Sequence, residues 1–272
     1  MLIAVPHAGR CYAPSLAARM RQPGQATLRL EDRYVDLVAR QLAHATGAAL
    51  LLAHAPRAMI DLNRSPDDMD WSMVADVAAP RRAQMGRRAR SGLGLVPRRL
   101  PGLGELWSAR ISASELRQRI ESVHGPYHRI LGTSLETLRD RWGGALLLDL
   151  HSMPPLGPKD GPDAAPDFVL GDRFGASCSA AVSMAAFDYL ESGGQTVAHN
   201  RPYAGGYVLD RHCAPARGVH ALQVELCRSA YLDDAMREPG EGLGRMVEVL
   251  TGLVRRLASE VSGTGGLAQA AE

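Results

Sequence analysis

The sequence predicts an α/β protein built on a mostly parallel sheet. Short apolar runs alternate with longer segments whose apolar residues recur at helical spacing, and this alternation is typical of parallel strands with helices on both faces. Three of the runs stop at a histidine or a carboxylate: Leu2–Val5 before His7, residues 145–150 before His151, and residues 221–224 before Glu225. Because ligands of open α/β sheets bind at the carboxyl ends of strands, these side chains are expected to converge.

The first part of the chain predicts strands around one clear helix. The first strand is Leu2–Val5, and a loop with Pro14 and Pro23 leads from it to Glu31 and Asp32. Residues 33–46 carry the apolar stripe of a helix, and Gly47 is a natural stop for it. Residues 48–53 and residues 58–62 are then predicted to be strands, the second of them leading to Asn63 and Arg64.

Residues 65–110 interrupt this alternation. They contain an acidic cluster, an arginine-rich run over residues 81–90 and a Gly/Pro-rich stretch over residues 92–104. Long loops in compact domains are usually functional or mobile. We interpret the arginine-rich run as a solvated excursion and residues 92–107 as a lid over the site, and an oligomer contact remains an alternative.

The second part of the chain returns to alternating elements. Ser112 or Ser114 is predicted to cap a helix that Pro126 kinks or splits. After the strand of His151, the predictions are a strand at 168–171, a helix at 179–190, a strand at 195–198, the strand of Glu225 and a helix at 244–261. A flexible tail is expected over residues 262–272. The whole chain, residues 1–272, is interpreted as a single catalytic domain.

Composition excludes several classes of protein. The chain is 46% hydrophobic and 22% charged with a net charge of +2, so neither nucleic acid nor an anionic membrane is an expected partner. Four scattered cysteines without CxxC spacing predict free buried thiols rather than a disulfide framework. We find no signal-peptide pattern and no bilayer-spanning segment, which favours a soluble, cytoplasmic protein. A homo-oligomer stays open.

The strand-end residues predict a zinc site. Catalytic zinc takes three protein ligands and leaves one position open, and a common set is two histidines and a carboxylate. His7 and His151 supply the nitrogens, and the third ligand is expected from Glu31 or Asp32. Each has an alternative: a histidine can be a hydrogen-bonded core residue, and an acidic pair can favour a helix N-terminus.

A base and a substrate anchor complete the expected chemistry. Glu225 lies in an apolar strand, where a carboxylate is costly unless paired or functional, so we interpret it as the general base. Its alternative role is an ion pair with Arg228 or with another arginine. Arg64 with Asn63 is predicted to bind a substrate carboxylate, although arginines often pair with surface acids.

Two segments rich in proline and tyrosine have weaker signals. They are HGPYH at 124–128 and NRPYAGG at 200–206. Their composition fits turns, and it also fits the lining of a pocket. On the second interpretation His128, Arg201 and Tyr203 contact the substrate.

Taken together, these pieces resemble the N-formylglutamate amidohydrolase family. The motifs that carry the resemblance are VPHAGR (5–10), EDRYVD (31–36), IDLNR (60–64), HGPYH (124–128), LLDLHSMP (147–154), DFVLGDRFG (167–175), NRPYAGGY (200–207) and HALQVELCRSAY (220–231). They span most of the chain and occur in the order found in the family.

The resemblance implies a fold and a reaction. The fold is a three-layer α/β/α, phosphorylase/hydrolase-like domain related to zinc carboxypeptidases, with a mostly parallel mixed sheet. The reaction is hydrolysis of N-formyl-L-glutamate to formate and L-glutamate, a late step in some routes of histidine degradation. One Zn²⁺ per chain is expected. Arg10 stands where carboxypeptidases carry their glutamate ligand, and the family pattern favours Asp32 as the carboxylate.

Two other hypotheses compete with this one. The first is a peptidase or amidase of the carboxypeptidase or aspartoacylase type, acting on another N-acyl substrate. The second is a non-catalytic binding protein that keeps the fold, against which the intact His7, His151 and Glu225 argue. The leading hypothesis remains a zinc amidohydrolase, with His7, Asp32 and His151 as ligands and Glu225 as the proton carrier.

Overall fold

The computed structural model of the protein describes residues 1–77, 85–159, 161 and 164–269. The chain divides into two compact units. We call residues 1–5, 32–52 and 131–272 the sheet unit, and residues 6–31 and 53–130 the loop unit. The excursion predicted at 65–110 belongs to the loop unit together with residues 6–31. The interpretation of the chain as one domain stays a prediction.

Within the described residues, the sheet unit contains a six-stranded sheet. Its order is β2-β1-β5-β8-β6-β7, and every neighbouring pair is parallel except β8 and β6. The strands are β1 (Leu2–Val5), β2 (Ala49–Leu52), β5 (Ala145–Met153), β6 (Phe168–Gly171), β7 (Val197–His199) and β8 (Val219–Cys227), and a separate hairpin is formed by β3 (Arg99–Leu100) and β4 (Gly104–Glu105). This confirms the mixed, mostly parallel sheet of a three-layer α/β fold.

Strands β5 and β8 are longer than the sequence predicted. They pair in parallel from Ala145 with Val219 to Met153 with Cys227, and all nine residues of each strand are buried. His151 and Glu225 therefore lie inside the strands and not after them. The apolar runs predicted strands that are too short, because the strand pairing continues through polar residues at the carboxyl ends of β5 and β8.

The strand predicted at residues 58–62 was wrong. These residues form turns that belong to the loop unit. The Asp61 amide donates to the Leu95 carbonyl at 2.7 Å, and the Asp61 side chain accepts from the Asn63 amide at 2.8 Å. Local bonds of the Asp side chain to the following main chain favour a turn over a strand.

Helices surround the sheet and fill the loop unit. They are α1 (Pro14–Ala17), α2 (Pro23–Leu30), α3 (Val35–Thr46), α4 (Arg87–Arg90), α5 (Ala113–Arg119), α6 (Gly125–Trp142), α7 (Ala180–Ser192), α8 (Tyr207–His212) and α9 (Leu243–Gln269). In the sheet unit, α9 packs against α3 and α7. Pro14 and Pro23, expected in a loop, occupy first-turn positions of α1 and α2, where proline is favoured. None of the described helices has the length and apolar character needed to cross a membrane.

Helix ends follow the sequence closely. Gly47 ends α3 with φ of 72°, and Ser112 caps α5 by accepting from the Glu115 amide. Before Pro126 the helix widens into a π-helical turn over Ile120–His124 and then continues as α6. Because proline cannot donate a helical hydrogen bond, the predicted disruption takes the form of this π-helical turn just before Pro126. Helix α9 extends past residue 261, and positions 270–272 of the expected tail lie outside the described residues.

The long excursion is structured where it is described. Arg98 bridges Asp70 at 2.8 Å and Glu105 at 3.0 Å, and the Trp107 indole donates to the Pro97 carbonyl at 2.7 Å. Arg81 and Arg82 of the predicted solvated run lie outside the described residues. The lid role of residues 92–107 stays a prediction. All four cysteines are free thiols, with Cys178 and Cys227 buried and Cys11 exposed.

Candidate metal centre and its surroundings

His151 lies near the carboxyl end of β5 between two carboxylates of the sheet unit. Its Nδ1 is 2.9 Å from Asp32 Oδ2, and its Nε2 is 3.0 Å from Asp149 Oδ2. Asp149 precedes it by two residues on the strand, so the two side chains share one face of the sheet. The two contacts fix the orientation of the ring, with Nε2 toward Asp149 and Nδ1 toward Asp32.

The electrostatics around His151 favour a cation. Burial alone lowers the pKa of His151, but Asp149, Asp32 and Glu225 outweigh burial and hold that pKa well above its usual value. Asp149 is fully buried, and its Oδ1 has no hydrogen-bond partner in the part of the chain that the structure describes. Buried carboxylates are stable only when paired or ligated, so a positive charge at this position offsets their desolvation.

Glu225 is the neighbour of His151 on the adjacent strand. The two residues are paired in the parallel register of β5 and β8, so their side chains leave the same face of the sheet. The side-chain Nε2 of Gln223 donates to Glu225 Oε1 at 3.0 Å. Arg228, the alternative partner considered for Glu225, forms an ion pair with Asp32 at 3.4 Å. Glu225 is thus the strand neighbour of His151, and its role as a base stays a prediction.

His7 follows β1 and is oriented by the loop unit. Its Nε2 is 2.8 Å from Asp61 Oδ1, and the second oxygen of Asp61 accepts from Arg57 Nε at 2.8 Å. Burial raises the pKa of Asp61, but the charges of Arg57, His7 and Arg64 hold it well below the usual range. Asp61 is therefore an ionised partner of the imidazole. Sequence reasoning did not predict that Asp61 is the partner of His7, although Asp61 belongs to the IDLNR motif that it singled out.

Three of the predicted ligands come together. One ligand atom each from His7, Asp32 and His151 lies within 4.8 Å of the others, and all three residues are buried. Catalytic zinc binds nitrogen and oxygen ligands at about 2.0–2.2 Å. Two imidazoles and a carboxylate are a donor set that suits zinc. The cluster contains Asp32 and not Glu31, and the choice of Asp32 as the carboxylate ligand stays a prediction.

The predicted substrate anchor is a rigid part of the loop unit. Arg64 Nε donates to the Leu93 carbonyl at 3.0 Å, and its Nη1 donates to the Asn63 carbonyl at 2.6 Å. Neither bond uses Nη2. His124 Nε2 lies 2.9 Å from the Arg64 carbonyl, and His128 Nε2 lies 3.0 Å from the Leu62 carbonyl. The HGPYH segment thus holds the main chain that presents Arg64, and contact of His128 with substrate stays a prediction.

The loop that carries Arg201 and Tyr203 is fixed to the end of β6. A Cβ added at Gly171 would lie 2.7 Å from the Ala204 carbonyl carbon, so this close approach requires glycine. The Arg173 amide donates to the Ala204 carbonyl at 2.9 Å. Arg201 is exposed and Tyr203 is half-buried. Both residues are held on a defined loop, and their contact with substrate stays a prediction.

Asp172 connects that loop to the rest of the sheet unit. Its carboxylate accepts from Asn200 Nδ2 at 2.8 Å, from Ser183 Oγ at 2.7 Å and from the Gly175 amide at 2.9 Å. His199 Nε2 lies 3.0 Å from the same carboxylate. Burial raises the pKa of Asp172, but these hydrogen bonds outweigh it and the pKa lies below its usual value.

Replacing Asp172 with Asn should therefore destabilise the protein in a pH-dependent way. Losing acceptors for buried donors costs about 1–3 kcal/mol, which is the expected fall in the free energy of unfolding at pH 7. Since the folded pKa is depressed, the stabilisation is complete above the unfolded pKa of about 3.9 and is lost as the pH falls through the folded value. Urea unfolding at pH 7 and at lower pH should show the variant's deficit shrinking below about pH 4. A deficit independent of pH would contradict this, and the exposed Asp140→Asn serves as the control.

Comparisons with known proteins place this chain among relatives that share one description. The profile of the family described as N-formylglutamate amidohydrolase matches residues 1–232. An N-formylglutamate deformylase of Pseudomonas aeruginosa is 28% identical over 267 residues, which cover 97% of this chain and 93% of that protein. A deformylase of Pseudomonas putida is 29% identical over 237 residues, 86% of this chain and 82% of that one. The crystal structure of an N-formylglutamate amidohydrolase from Ralstonia eutropha superposes with a TM-score of 0.85 at 30% identity, covering 96% of this chain and 93% of that chain.

Proposed function

The chain belongs to the N-formylglutamate amidohydrolase family, and from this we propose that it is a zinc-dependent deformylase that hydrolyses N-formyl-L-glutamate to formate and L-glutamate. The observation that carries the proposal is the buried cluster of His7, Asp32 and His151, whose ligand atoms lie within 4.8 Å of one another. The names of the relatives supply the substrate, and the donor set supplies the choice of zinc.

Neighbouring carboxylates orient the two proposed histidine ligands for one ion per chain. Asp61 holds the Nε2 of His7, and Asp149 holds the Nε2 of His151, so in both rings the lone pair for a metal is on Nδ1. Asp32 contributes the carboxylate oxygen nearest to His151. When bound, zinc would act as a Lewis acid on the amide carbonyl and on the attacking water.

Glu225 moves the proton in this proposal. It takes a proton from the water that attacks the formyl carbon, and it delivers that proton to the amide nitrogen as the C–N bond breaks. The bond from Gln223 fixes one carboxylate oxygen, and the strand register keeps Glu225 next to His151. One residue can serve as base and then as acid because the two transfers occur in sequence.

Arg64 and Asn63 bind a carboxylate of the substrate. Burial lowers the pKa of Arg64, and the charge of Asp61 opposes this effect only in part. The guanidinium nevertheless stays protonated at neutral pH, because the ordinary pKa of arginine is so high. Its Nε and Nη1 are anchored to main-chain carbonyls, which turns the remaining donors into a fixed recognition element. Arg201, Tyr203 and His128 complete the substrate contacts. The reaction fits a late step of histidine degradation.

Arg64→Lys should weaken use of N-formylglutamate through kcat/KM, with the metal content unchanged. Lysine keeps the charge but cannot reproduce the anchored fork. Hydrogen bonds to charged groups contribute about 1.5–3 kcal/mol, which corresponds to a loss of roughly 10- to 150-fold. Steady-state kinetics beside zinc analysis tests this, with Arg139→Lys on the surface of α6 as the matched control. A variant as efficient as the wild type would remove Arg64 from substrate recognition.

A substrate panel tests the proposed function itself. N-formyl-L-glutamate, its α-amide and other N-acyl amino acids are incubated with the zinc-loaded protein, and the released acid and amine are quantified. We expect the fastest turnover with N-formyl-L-glutamate and poor turnover of the amide, since the arginine would lose its ionic partner. Preferred cleavage of peptides or longer N-acyl groups would support the peptidase or amidase alternative. Binding without turnover of any of them would support the non-catalytic alternative.

A further inference from the structure

Both oxygens of the Asp32 carboxylate contact other protein groups. Oδ2 is 2.9 Å from His151 Nδ1, on the side of the candidate metal centre. Oδ1 accepts from Ser152 Oγ at 3.3 Å and from Arg228 Nη2 at 3.4 Å. The side chain is buried, so the carboxylate is oriented by these protein groups and not by solvent.

Arg228 is a buried guanidinium fixed to the strand that carries His151. It follows β8 directly and begins a short 3₁₀ turn, Arg228–Ala230. Its Nε donates to Ser152 Oγ at 3.0 Å, and Ser152 in turn donates to Asp32. Burying an arginine costs solvation free energy, and the contacts of Arg228 with Ser152 and Asp32 offset part of that cost.

The same turn holds the chain next to Asp32. The Tyr231 hydroxyl donates to the Arg33 carbonyl at 2.7 Å. The segment 228–231 therefore binds both the side chain of residue 32 and the main chain of residue 33. Two contacts of this kind restrict the position and the rotation of the carboxylate.

We propose that Arg228, with Ser152, holds Asp32 Oδ1 so that Asp32 ligates the metal through Oδ2 alone. Arg228 is a positioning residue that acts through Asp32. A catalytic zinc needs one coordination position for water or substrate, and a carboxylate that bound through both oxygens would occupy it. The inference rests on the proposed metal centre. It adds the two residues, Arg228 and Ser152, that would leave one coordination position of the ion for water or substrate.

Metal affinity and coordination number test this role directly. The variants are Arg228→Gln, Arg228→Lys and Ser152→Ala, with Arg256→Gln as the control, because Arg256 forms an exposed pair with Glu260 on α9. Zinc dissociation constants come from competition with a chelator. Visible absorption of the cobalt-substituted proteins reports coordination number, because added ligands weaken these bands.

We expect Arg228→Gln to bind zinc about 10- to 100-fold more weakly and to show weaker cobalt bands, as loss of a partner behind a ligand does. Arg228→Lys should recover part of the affinity because it keeps the charge, and Ser152→Ala should lose less than Arg228→Gln. If Arg228→Gln does not fold, the other two variants carry the test. Folded variants with wild-type affinity and wild-type cobalt spectra would overturn the proposal.

The outcome is separable from that of the proposed function. A wild type that binds zinc but does not hydrolyse N-formylglutamate would contradict the function, while the variant affinities would still decide the role of Arg228. Normal turnover of the wild type, combined with unchanged affinities in all the variants, would contradict this inference alone.

Discussion

Replacement of His151 with Ala should give a protein that retains no metal and has no hydrolase activity. The imidazole lies between Asp32 at 2.9 Å and Asp149 at 3.0 Å, so its loss removes a proposed ligand and also the partner of a buried carboxylate. Removing one member of such a pair costs about 3–5 kcal/mol, and some loss of stability is expected as well. Metal analysis after gel filtration, circular dichroism and kinetics would measure the three effects.

Two further variants separate ligation from folding. His151→Gln keeps a donor toward Asp149 and should be more stable than the alanine variant while still failing to bind metal. His220→Gln is the matched control, since His220 is a buried histidine of β8 whose register partner is Leu146, near the start of β5. It should keep both metal and activity. Stoichiometric metal in folded His151→Ala would exclude His151 as a ligand.

Glu225→Gln should retain zinc and lose most of its turnover. The change keeps the size of the side chain and leaves the proposed ligands in place, but glutamine cannot accept the proton. Loss of a general base typically lowers kcat by about 10²–10⁴-fold, and we expect a fall of that order with little change in zinc content. Glu191→Gln, on the exposed side of α7, is the control for removal of a carboxylate. Turnover close to that of the wild type would assign Glu225 a structural role.

The sheet was predictable because its signal is local. Runs such as Leu2–Val5 and Phe168–Gly171 are apolar along their whole length, and the structure has them with those bounds. The ends of β5 and β8 were not predictable from local sequence. Polar residues such as His151 and Glu225 continue the pairing there because the neighbouring strand continues beside them, which an apolar pattern does not show. The strand prediction at residues 58–62 was wrong for the opposite reason. The run is apolar, but the Asp61 side chain accepts a hydrogen bond from the main chain that follows it and favours a turn.

The site was predictable in its residue types and not in its supporting contacts. Histidines and a carboxylate near strand ends led to the proposed metal ligands, and the structure groups His7, Asp32 and His151. The role of Glu225 as the base stays a prediction. The partners Asp61, Asp149 and Arg228 were missed as such, because each is identified only by a contact between positions that are distant in sequence or by the direction of a side chain. Asp149 is two residues from His151, but only the strand geometry turns both to one face.

Zinc titration of the metal-free protein tests the central claim most directly. Chelator-treated protein is given increasing zinc, and the formate and glutamate released from N-formyl-L-glutamate are measured at each ratio. We predict no turnover without metal, a linear rise that ends at about one zinc per chain, and equal amounts of the two products. Full turnover by the metal-free protein, or none at saturating zinc, would contradict a zinc-dependent deformylase.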